Sequence, residues 1–272
     1  MLGYKKGVNL MEYTKDELIK KMHQKFFFDK DYESCTDILE QIQQLHLYQY
    51  RSGKIVKKFF HKHIYDIDNL YQNKVWASVA SKFNDPFDCR PLINVDITYD
   101  DDRVKKFYKS LFELGNKFME HTYVSCFASK EDSLCMWSYY ADNHKGICTE
   151  YDTNTLIAGE LVVPVDYSNE TFCLSKRVEE EKLLLKGTAT KSEDWKHEEE
   201  WRMVSCEDPG MPRKKGKFLA SCKPSKVYLG CRSEDYLTKA VIKYCQKEKV
   251  DLDKMEVDPS SYKLIKKEIL KF

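Results

Sequence analysis

Short segments rich in β-forming residues alternate irregularly with helical patterns along this chain, and that order constrains its fold more than any other feature. Aromatic and β-branched runs predict strands, as at 122–128 and 201–206. Apolar residues at helical spacing predict helices, as at 101–120 and 235–247. Because these elements do not follow regular βαβ order, the sequence favours an α+β fold with a mixed, mostly antiparallel sheet flanked by helices.

The same patterns predict further elements around these four. Strands are expected at 47–52, 75–79, 146–151, 161–167, 218–221, 227–229 and 251–257, and helices at 64–71, 134–141 and 176–186. In the helix 101–120, an apolar stripe is expected to face the core, made by Val104, Phe107, Leu111, Leu114 and Phe118.

The first part of the chain has a helical pattern of its own. Leu18, Met22 and Phe26 recur at spacing four, and Ile38 and Ile42 repeat that spacing. We therefore predict two helices within 15–44. The chain is expected to divide into an N-terminal helical extension, 1–46, and a single α+β domain, 47–272.

Charge and composition exclude several classes of protein. The 45 Lys and Arg residues nearly balance the 44 Asp and Glu residues, so the chain lacks the cationic surplus that favours binding to nucleic acid through counterion release. No window of about 18 consecutive apolar residues is present, and the ten cysteines include no CxxC pair. We expect a cytoplasmic protein with no membrane association and with reduced cysteines.

The common fingerprints of nucleotide-binding proteins and hydrolases are absent. The sequence contains no Walker loop, GxGxxG turn, HExxH pair or GxSxG elbow. Any chemistry must therefore come from less regular groups of residues, and three such groups stand out.

The first group is acidic and opens a predicted strand. Period-two alternation places Glu198, Glu200 and Arg202 on one face of that strand. Two carboxylates beside an arginine suit a glycosyl-type reaction, in which one stabilises a developing oxocarbenium charge and the other orients or deprotonates an acceptor. The alternative interpretation is a solvated acidic run that leads into a strand.

The second group is aromatic. Trp137 and Tyr140 share a face of a short predicted helix, and His144 falls at or just beyond its end. This arrangement can stack and hydrogen-bond a planar heterocycle. Core aromatic residues with a capping histidine remain the alternative.

The third group lies at the end of the first predicted strand and on a later one. Arg51 can bind a phosphate in bidentate fashion, with Ser125 orienting a ribose or an amide. Arg51 as a surface ion-pair partner is the alternative. A rival catalytic hypothesis makes Cys126 a nucleophile with His144 as its base, although a thiol on an apolar strand is usually inert.

Four segments occur here in a fixed order: 84–89, 124–127, 136–146 and 195–202. Together they resemble a bacterial family catalogued as domain of unknown function 2971, over about 47–229. The resemblance implies a clustered polar site to which Asp85, Tyr140, His144 and Arg202 contribute.

A more distant resemblance concerns the order of arginine, serine and Glu-x-Glu, which is similar to the layout of ADP-ribosyltransferases. It implies that Arg51 holds the phosphates of NAD, that Ser125 braces the nicotinamide ribose and that Glu200 stabilises the oxocarbenium ion. Glu198 would orient the acceptor, and Trp137 and Tyr140 would flank the nicotinamide. The sequence departs from the family pattern at 125–127, where it has Ser-Cys-Phe in place of Ser-Thr-Ser.

These observations lead to three hypotheses. The first is an ADP-ribosyltransferase-like enzyme that consumes NAD as a substrate, uses no metal and modifies a macromolecule, protein or nucleic acid, in bacterial defence against phage or as a toxin. The second is a non-catalytic module that binds a nucleotide or a partner. The third is a metal-dependent nuclease that uses Asp85, Asp88, His144 and Glu198, since carboxylates suit Mg²⁺. A regulatory partner and a homo-oligomer both stay open.

Overall fold

The computed structural model describes residues 14–29, 31–42, 45–53, 66–89, 101–156, 161–170 and 186–272. These residues form an α+β fold with a mixed, mostly antiparallel sheet and flanking helices, and two helices precede the first strand. The fold class expected from the sequence is therefore confirmed.

The helices lie throughout the described part of the chain. They are α1 (Lys15–Gln24), α2 (Tyr32–Gln41), α3 (Asp66–Tyr71), α4 (Asp102–Met119), α5 (Leu134–Tyr139), α6 (Thr153–Leu156) and α7 (Asp235–Glu248). A π-helical turn at Lys25–Asp29 and 3₁₀ turns at Ala80–Lys82 and Glu193–Glu198 add further helical structure, and residues 186–188 are helical as well.

Most of the strands belong to one large sheet. They are β1 (His46–Arg51), β2 (Lys74–Val79), β3 (Thr122–Ala128), β4 (Ile147–Asp152), β5 (Leu161–Pro164), β8 (Glu200–Cys206), β9 (Gly216–Ser221), β10 (Lys226–Leu229), β11 (Asp251–Val257) and β12 (Leu264–Leu270). A separate parallel pair consists of β6 (Asp166–Ser168) and β7 (Thr190–Ser192).

The sheet divides at β3. On one edge, β8 pairs with β3 along its whole length, with Ala128 opposite Glu200. On the other edge, β1 pairs with β3 at Ala128, whereas β2 pairs with it at Tyr123 and Val124. Since β1 and β2 share this edge without pairing with each other, a gap opens between them beside the middle of β3.

The two faces of the sheet are covered by different helices. On one face, α1 and α2 share a hydrophobic core with Leu47 and Tyr151, and α3 and α7 pack farther along against Ile147. On the other face, α5 packs through Trp137 against Tyr50. The N-terminal helices and the sheet therefore have a common core.

Two differences from the sequence-based expectations have physical causes. The predicted strand 161–167 is divided between β5 and β6, and β12 was not predicted because it is an edge strand, mostly exposed and rich in Lys and Glu. Helix 176–186 lies almost wholly outside the described residues.

The apolar stripe expected on α4 is wrong at two positions. Phe107 and Leu114 are 52% and 54% exposed. The helix is buried instead at Gly115 and Met119, because it meets the sheet through its C-terminal end, where Met119 packs beside Val124.

The contact between β4 and the end of β1 leads to a prediction. A Cβ added at Gly146 would lie 2.0 Å from the carbonyl oxygen of Arg51, so Gly146→Ala must push the two strands apart. We expect a loss of about 1–3 kcal/mol in the free energy of unfolding, measured by thermal denaturation. Gly210→Ala is the control, since its nearest neighbour would be a side-chain oxygen at 3.2 Å. Equal melting temperatures for the two variants would contradict this packing.

Candidate functional site

A cleft of about 470 Å³ lies where β1 and β2 separate, within the range of roughly 300–1,000 Å³ typical of small-molecule sites. Its walls come from β1, β2, β3 and the segments around 82–88 and 191–200. Eight of the residues singled out from the sequence line it: Arg51, Asp85, Asp88, Ser125, Cys126, Tyr140, Glu198 and Glu200.

The gap in the sheet is what gives these residues a common cleft. Arg202 and Glu200 pair with Cys126 and Ala128 of β3, whereas Ser125 pairs with Met203 and therefore points to the opposite face. In a continuous sheet Ser125 and Glu200 would be separated by the backbone. Beside the gap, both reach the same space.

Arg202 anchors the acidic side of the cleft from behind. Its side chain is fully buried and does not line the cleft. Its Nε and Nη2 donate to the Glu200 carboxylate at 2.8 and 3.0 Å, and Nη1 and Nη2 donate to Asp88 at 2.7 and 2.8 Å. Nη1 also donates to the carbonyl oxygen of Thr188 at 2.6 Å. The guanidinium thereby fixes three separate segments of chain relative to one another.

Lys191 links the two glutamates. Its Nζ donates to Glu198 and, at 3.0 Å, to Glu200, and it lies 3.8 Å from an oxygen of Asp88. The ammonium group and the Arg202 guanidinium face three carboxylates, all of them nearly inaccessible to water. The cluster therefore has one more carboxylate than cations, and its negative field favours a positively charged group in the cleft.

The charge states in this cluster follow from its contacts. Burial disfavours the ionised form of Glu200, but Arg202 and Lys191 outweigh burial and lower its pKa to about 2. Burial likewise disfavours charged Lys191, yet Glu200 and Glu198 outweigh it and raise its pKa. Glu200 is therefore an anion at neutral pH, and Lys191 is a cation.

Tyr140 connects the cluster to the open side of the cleft. Its hydroxyl donates to Glu198 at 2.7 Å. Burial and the adjacent Glu198 raise the pKa of the phenol, so the hydroxyl stays protonated and keeps donating. Glu198 is thus held at one oxygen by Tyr140 and at the other by Lys191, which leaves part of its accepting capacity unused.

The backbone at the glutamate run decides which carboxylates enter the cleft. Glu198 ends a 3₁₀ turn, Glu199 has a left-handed conformation at φ 45°, and Glu200 begins β8. Glu199 consequently faces the surface, where it accepts from Ser129 and Lys130. Glu198 reaches the cleft through this turn and not through the strand alternation that the sequence suggested.

The opposite side of the cleft is cationic. Arg51 is only 6% exposed, and its Nη2 donates to Gln49, whose Nε2 in turn donates to Ser125 at 2.8 Å. Among the described residues, Nη1 of Arg51 has no hydrogen-bond partner. A buried guanidinium with a free N–H beside a cleft is suited to an anionic ligand.

Besides Arg202, two residues singled out from the sequence lie outside the cleft. Trp137 is fully buried, and its ring N–H donates to the carbonyl oxygen of Glu131 at 2.7 Å. His144 stacks on Trp137 and contacts Ser138 at 3.0 Å, beside a smaller, separate cavity. This placement leaves neither ring free to stack a ligand in the cleft.

The two rival chemistries are disfavoured by the contacts of their residues. Burial raises the pKa of the Cys126 thiol well above its ordinary value, so the thiol is a poor nucleophile. Both Asp88 oxygens accept from Arg202, which opposes metal ligation. In the described ranges, no group of three or more His, Cys, Asp or Glu is arranged to hold a metal ion.

None of the helices in the described part of the chain is long and apolar enough to cross a membrane.

Three contributors to the site were missed by sequence reasoning. Lys191, Thr188 and Asn69 belong to no motif, and all three are buried polar residues at or beside the cleft. A lone lysine or asparagine gives no local signal of burial, because its partners come from distant parts of the chain.

The depressed pKa of Glu200 predicts a pH dependence of stability. In the unfolded chain this carboxyl has its ordinary pKa near 4.5, and in the folded protein about 2. Its ionisation therefore contributes stability above pH 4.5, and the contribution is lost as the pH falls towards 2. We expect the unfolding free energy of the native protein to drop by about 3 kcal/mol more than that of Glu200→Gln across this range. Urea denaturation at a series of pH values measures both curves, and parallel curves would refute the assignment.

Comparison with known proteins adds one family. Residues 136–203 match the model of a family described as protein of unknown function (DUF2971). Neither the curated proteins nor the solved structures with which the chain was compared include a significant match. The matched segment contains Tyr140, Lys191, Glu198, Glu200 and Arg202, the acidic side of the cleft, and it supports the resemblance to the DUF2971 family.

Proposed function

We propose that the cleft binds NAD and that the protein cleaves the bond between nicotinamide and ribose, transferring ADP-ribose to a macromolecule or to water. The observation that carries this proposal is the composition of a single cleft. Arg51, Ser125, Glu198 and Glu200 all line it, and within the described part of the chain Nη1 of Arg51 has no partner.

The order of these groups along β3 suits a dinucleotide. Extending the antiparallel register from Tyr48 opposite Ala128 puts Arg51 level with Ser125, whereas Glu200 lies level with Ala128. Three residues of strand separate the two levels, about 10 Å. The cationic group can therefore hold a phosphate while the carboxylates face the ribose that reacts.

The rings on the cleft wall supply stacking surfaces. The aromatic side chains that line the cleft include Trp76, Phe83, Tyr140 and Trp195. The Lys191 ammonium lies 4.9 Å from the ring centroid of Trp195, in a cation–π contact. Because Trp137 is buried, Tyr140 and Trp195 are assigned to the nicotinamide, whose positive charge the acidic cluster favours.

The chemistry follows from the charge of the cluster. When the bond from the ribose C1′ to the nicotinamide nitrogen breaks, the electron pair leaves with nicotinamide, and positive charge develops on C1′ and the ring oxygen. Ionised Glu200, with Glu198 beside it, stabilises that charge. The acceptor then bonds to C1′ and gives up a proton, which the spare lone pairs of Glu198 can accept. We place this activity in the bacterial cytoplasm, in defence against phage or as a toxin.

The first test uses the three consecutive glutamates. Nicotinamide release from NAD is followed by chromatography, with and without cell lysate. We expect Glu198→Gln and Glu200→Gln each to lose at least about 10²-fold in rate, since an amide carries no charge. Glu199→Gln is the matched control, because this neighbouring side chain faces the surface.

The loss of activity in a glutamate variant can be attributed to catalysis only if that variant still folds. Glu200→Gln leaves half of the Arg202 pairing without a charge, and a broken buried pair costs about 3–5 kcal/mol. Glu198→Gln keeps that pairing, so each variant is checked for folding by circular dichroism. Undiminished release in folded Glu198→Gln, or no release by the native protein under either condition, would overturn the proposal and favour a binding module.

The contact of Tyr140 with Glu198 gives a second prediction. Tyr140→Phe keeps the ring but removes the donor, and a hydrogen bond to a charged group is worth about 1.5–3 kcal/mol. We expect kcat to fall roughly 10- to 100-fold with KM little changed. Tyr139→Phe is the control, since Tyr139 is 61% exposed. A change confined to KM would assign Tyr140 to binding alone.

A further inference from the structure

Asn69 of α3 is a second buried polar residue with an unused atom in the cleft. It is 3% exposed and lines the cleft, and its Oδ1 has no hydrogen-bond partner among the described residues. Leaving a buried polar atom unsatisfied costs about 1–3 kcal/mol. Arg51 lines the same cleft, and its Nη1 is likewise without a partner, so within the described residues this side has one unpaired donor and one unpaired acceptor.

The surrounding charges indicate which ligand group belongs there. Lys82 and Lys215 also line the cleft. The backbone places Lys215 beside β2, since its carbonyl oxygen accepts from the Val79 N–H, while Ser78 pairs with Val124 of β3. Arg51 and Lys215 therefore stand on the two sides of the gap, at nearly the same level along β3.

In the basic run 213–215, which precedes β9, two of the three side chains form ion pairs away from the cleft. Arg213 pairs with Glu120, and Lys214 pairs with Glu207. Lys215 is the member of this run that borders the cleft. The positive charge it adds across the gap from Arg51 favours an anion between them over a neutral amide, which would need no cation.

We propose that Arg51 and Asn69 form a subsite for a phosphorylated ribose, in which Arg51 donates to a phosphate oxygen and Asn69 accepts a hydrogen bond from a ribose hydroxyl. This inference rests on the proposed function and specifies which part of the nucleotide this side of the cleft recognises. Lys82 and Lys215 extend the positive field towards solvent. The subsite selects ribonucleotides over 2′,3′-dideoxynucleotides, because a ligand without either hydroxyl leaves Asn69 Oδ1 unpaired.

The experiment measures binding without turnover, by isothermal titration calorimetry on the full chain. The probes are ADP, 2′,3′-dideoxy-ADP and adenosine. We expect the native protein to bind ADP at least about tenfold more tightly than dideoxy-ADP. In Asn69→Ala that preference should vanish. Arg51→Gln should weaken ADP binding at least about tenfold while leaving the weak binding of adenosine unchanged.

Two further variants keep the result interpretable. Asn154→Ala, at an exposed position of α6, is the control and should bind as the native protein does. Asn69→Asp preserves size and an acceptor, so it should retain the preference for the hydroxyl while weakening ADP through repulsion of its phosphates. Failure of the native protein to bind ADP, or an unchanged hydroxyl preference in folded Asn69→Ala, would overturn the subsite.

Nicotinamide release measured in parallel separates the two proposals. ADP binding with the expected variant effects but no release of nicotinamide supports the subsite and overturns the enzymatic function. Glutamate-dependent release of nicotinamide, together with a preference for the ribose hydroxyl that is unchanged in Asn69→Ala, supports the enzymatic function and overturns the subsite.

Discussion

The buried guanidinium of Arg202 is the interaction on which the site depends. It makes bidentate contacts with Glu200 and with Asp88 and bonds to the carbonyl of Thr188, joining β8 to two segments far away in sequence. Such a charge is tolerated in the interior only because all its N–H groups have partners. The same contacts keep Glu200 ionised, so one side chain provides both the local architecture and the electrostatics of the cleft.

Much of the fold was predictable, because its strands have strong local patterns. The segment 122–128 is β3 at the same bounds, and the strands at 75–79 and 201–206 differ from β2 and β8 by one residue. β12 lacks such a pattern, because it faces water. The helix α4 was predicted nearly at its observed bounds, but its buried positions were not, because it contacts the sheet by its end. The division of the sheet could not be predicted from any local pattern. It arises because β1 and β2 both pair with the same edge of β3, and strand pairing is decided by residues far apart in sequence.

The site was predictable to the extent that unusual residue types cluster in sequence. The Glu-Glu-Glu-Trp-Arg run drew attention to Glu198 and Glu200, and Arg51 stood out at a strand end. Sequence could not separate Trp137, a core ring, from Tyr140, a cleft residue three positions later, because both fit a helical aromatic face. It gave no signal at all for Lys191 or Asn69, whose importance comes from neighbours that folding alone brings near.

The cleft is polarised along β3, and this polarity links the fold to chemistry. At the level of Ser125 lies Arg51, whose buried Nη1 has no partner among the described residues, whereas at the level of Ala128 the carboxylates outnumber the cations. The charge of Arg51 does not neutralise that of the carboxylates, because about 10 Å of strand lies between them. The Arg51 side chain is also held by its hydrogen bond to Gln49. A ligand that is negative at one end and positive at the other satisfies both ends at once. In the reaction that we propose, the positive charge moves from the nicotinamide ring onto the ribose as the glycosidic bond breaks, so carboxylates placed at the ribose would stabilise the transition state more than the ground state.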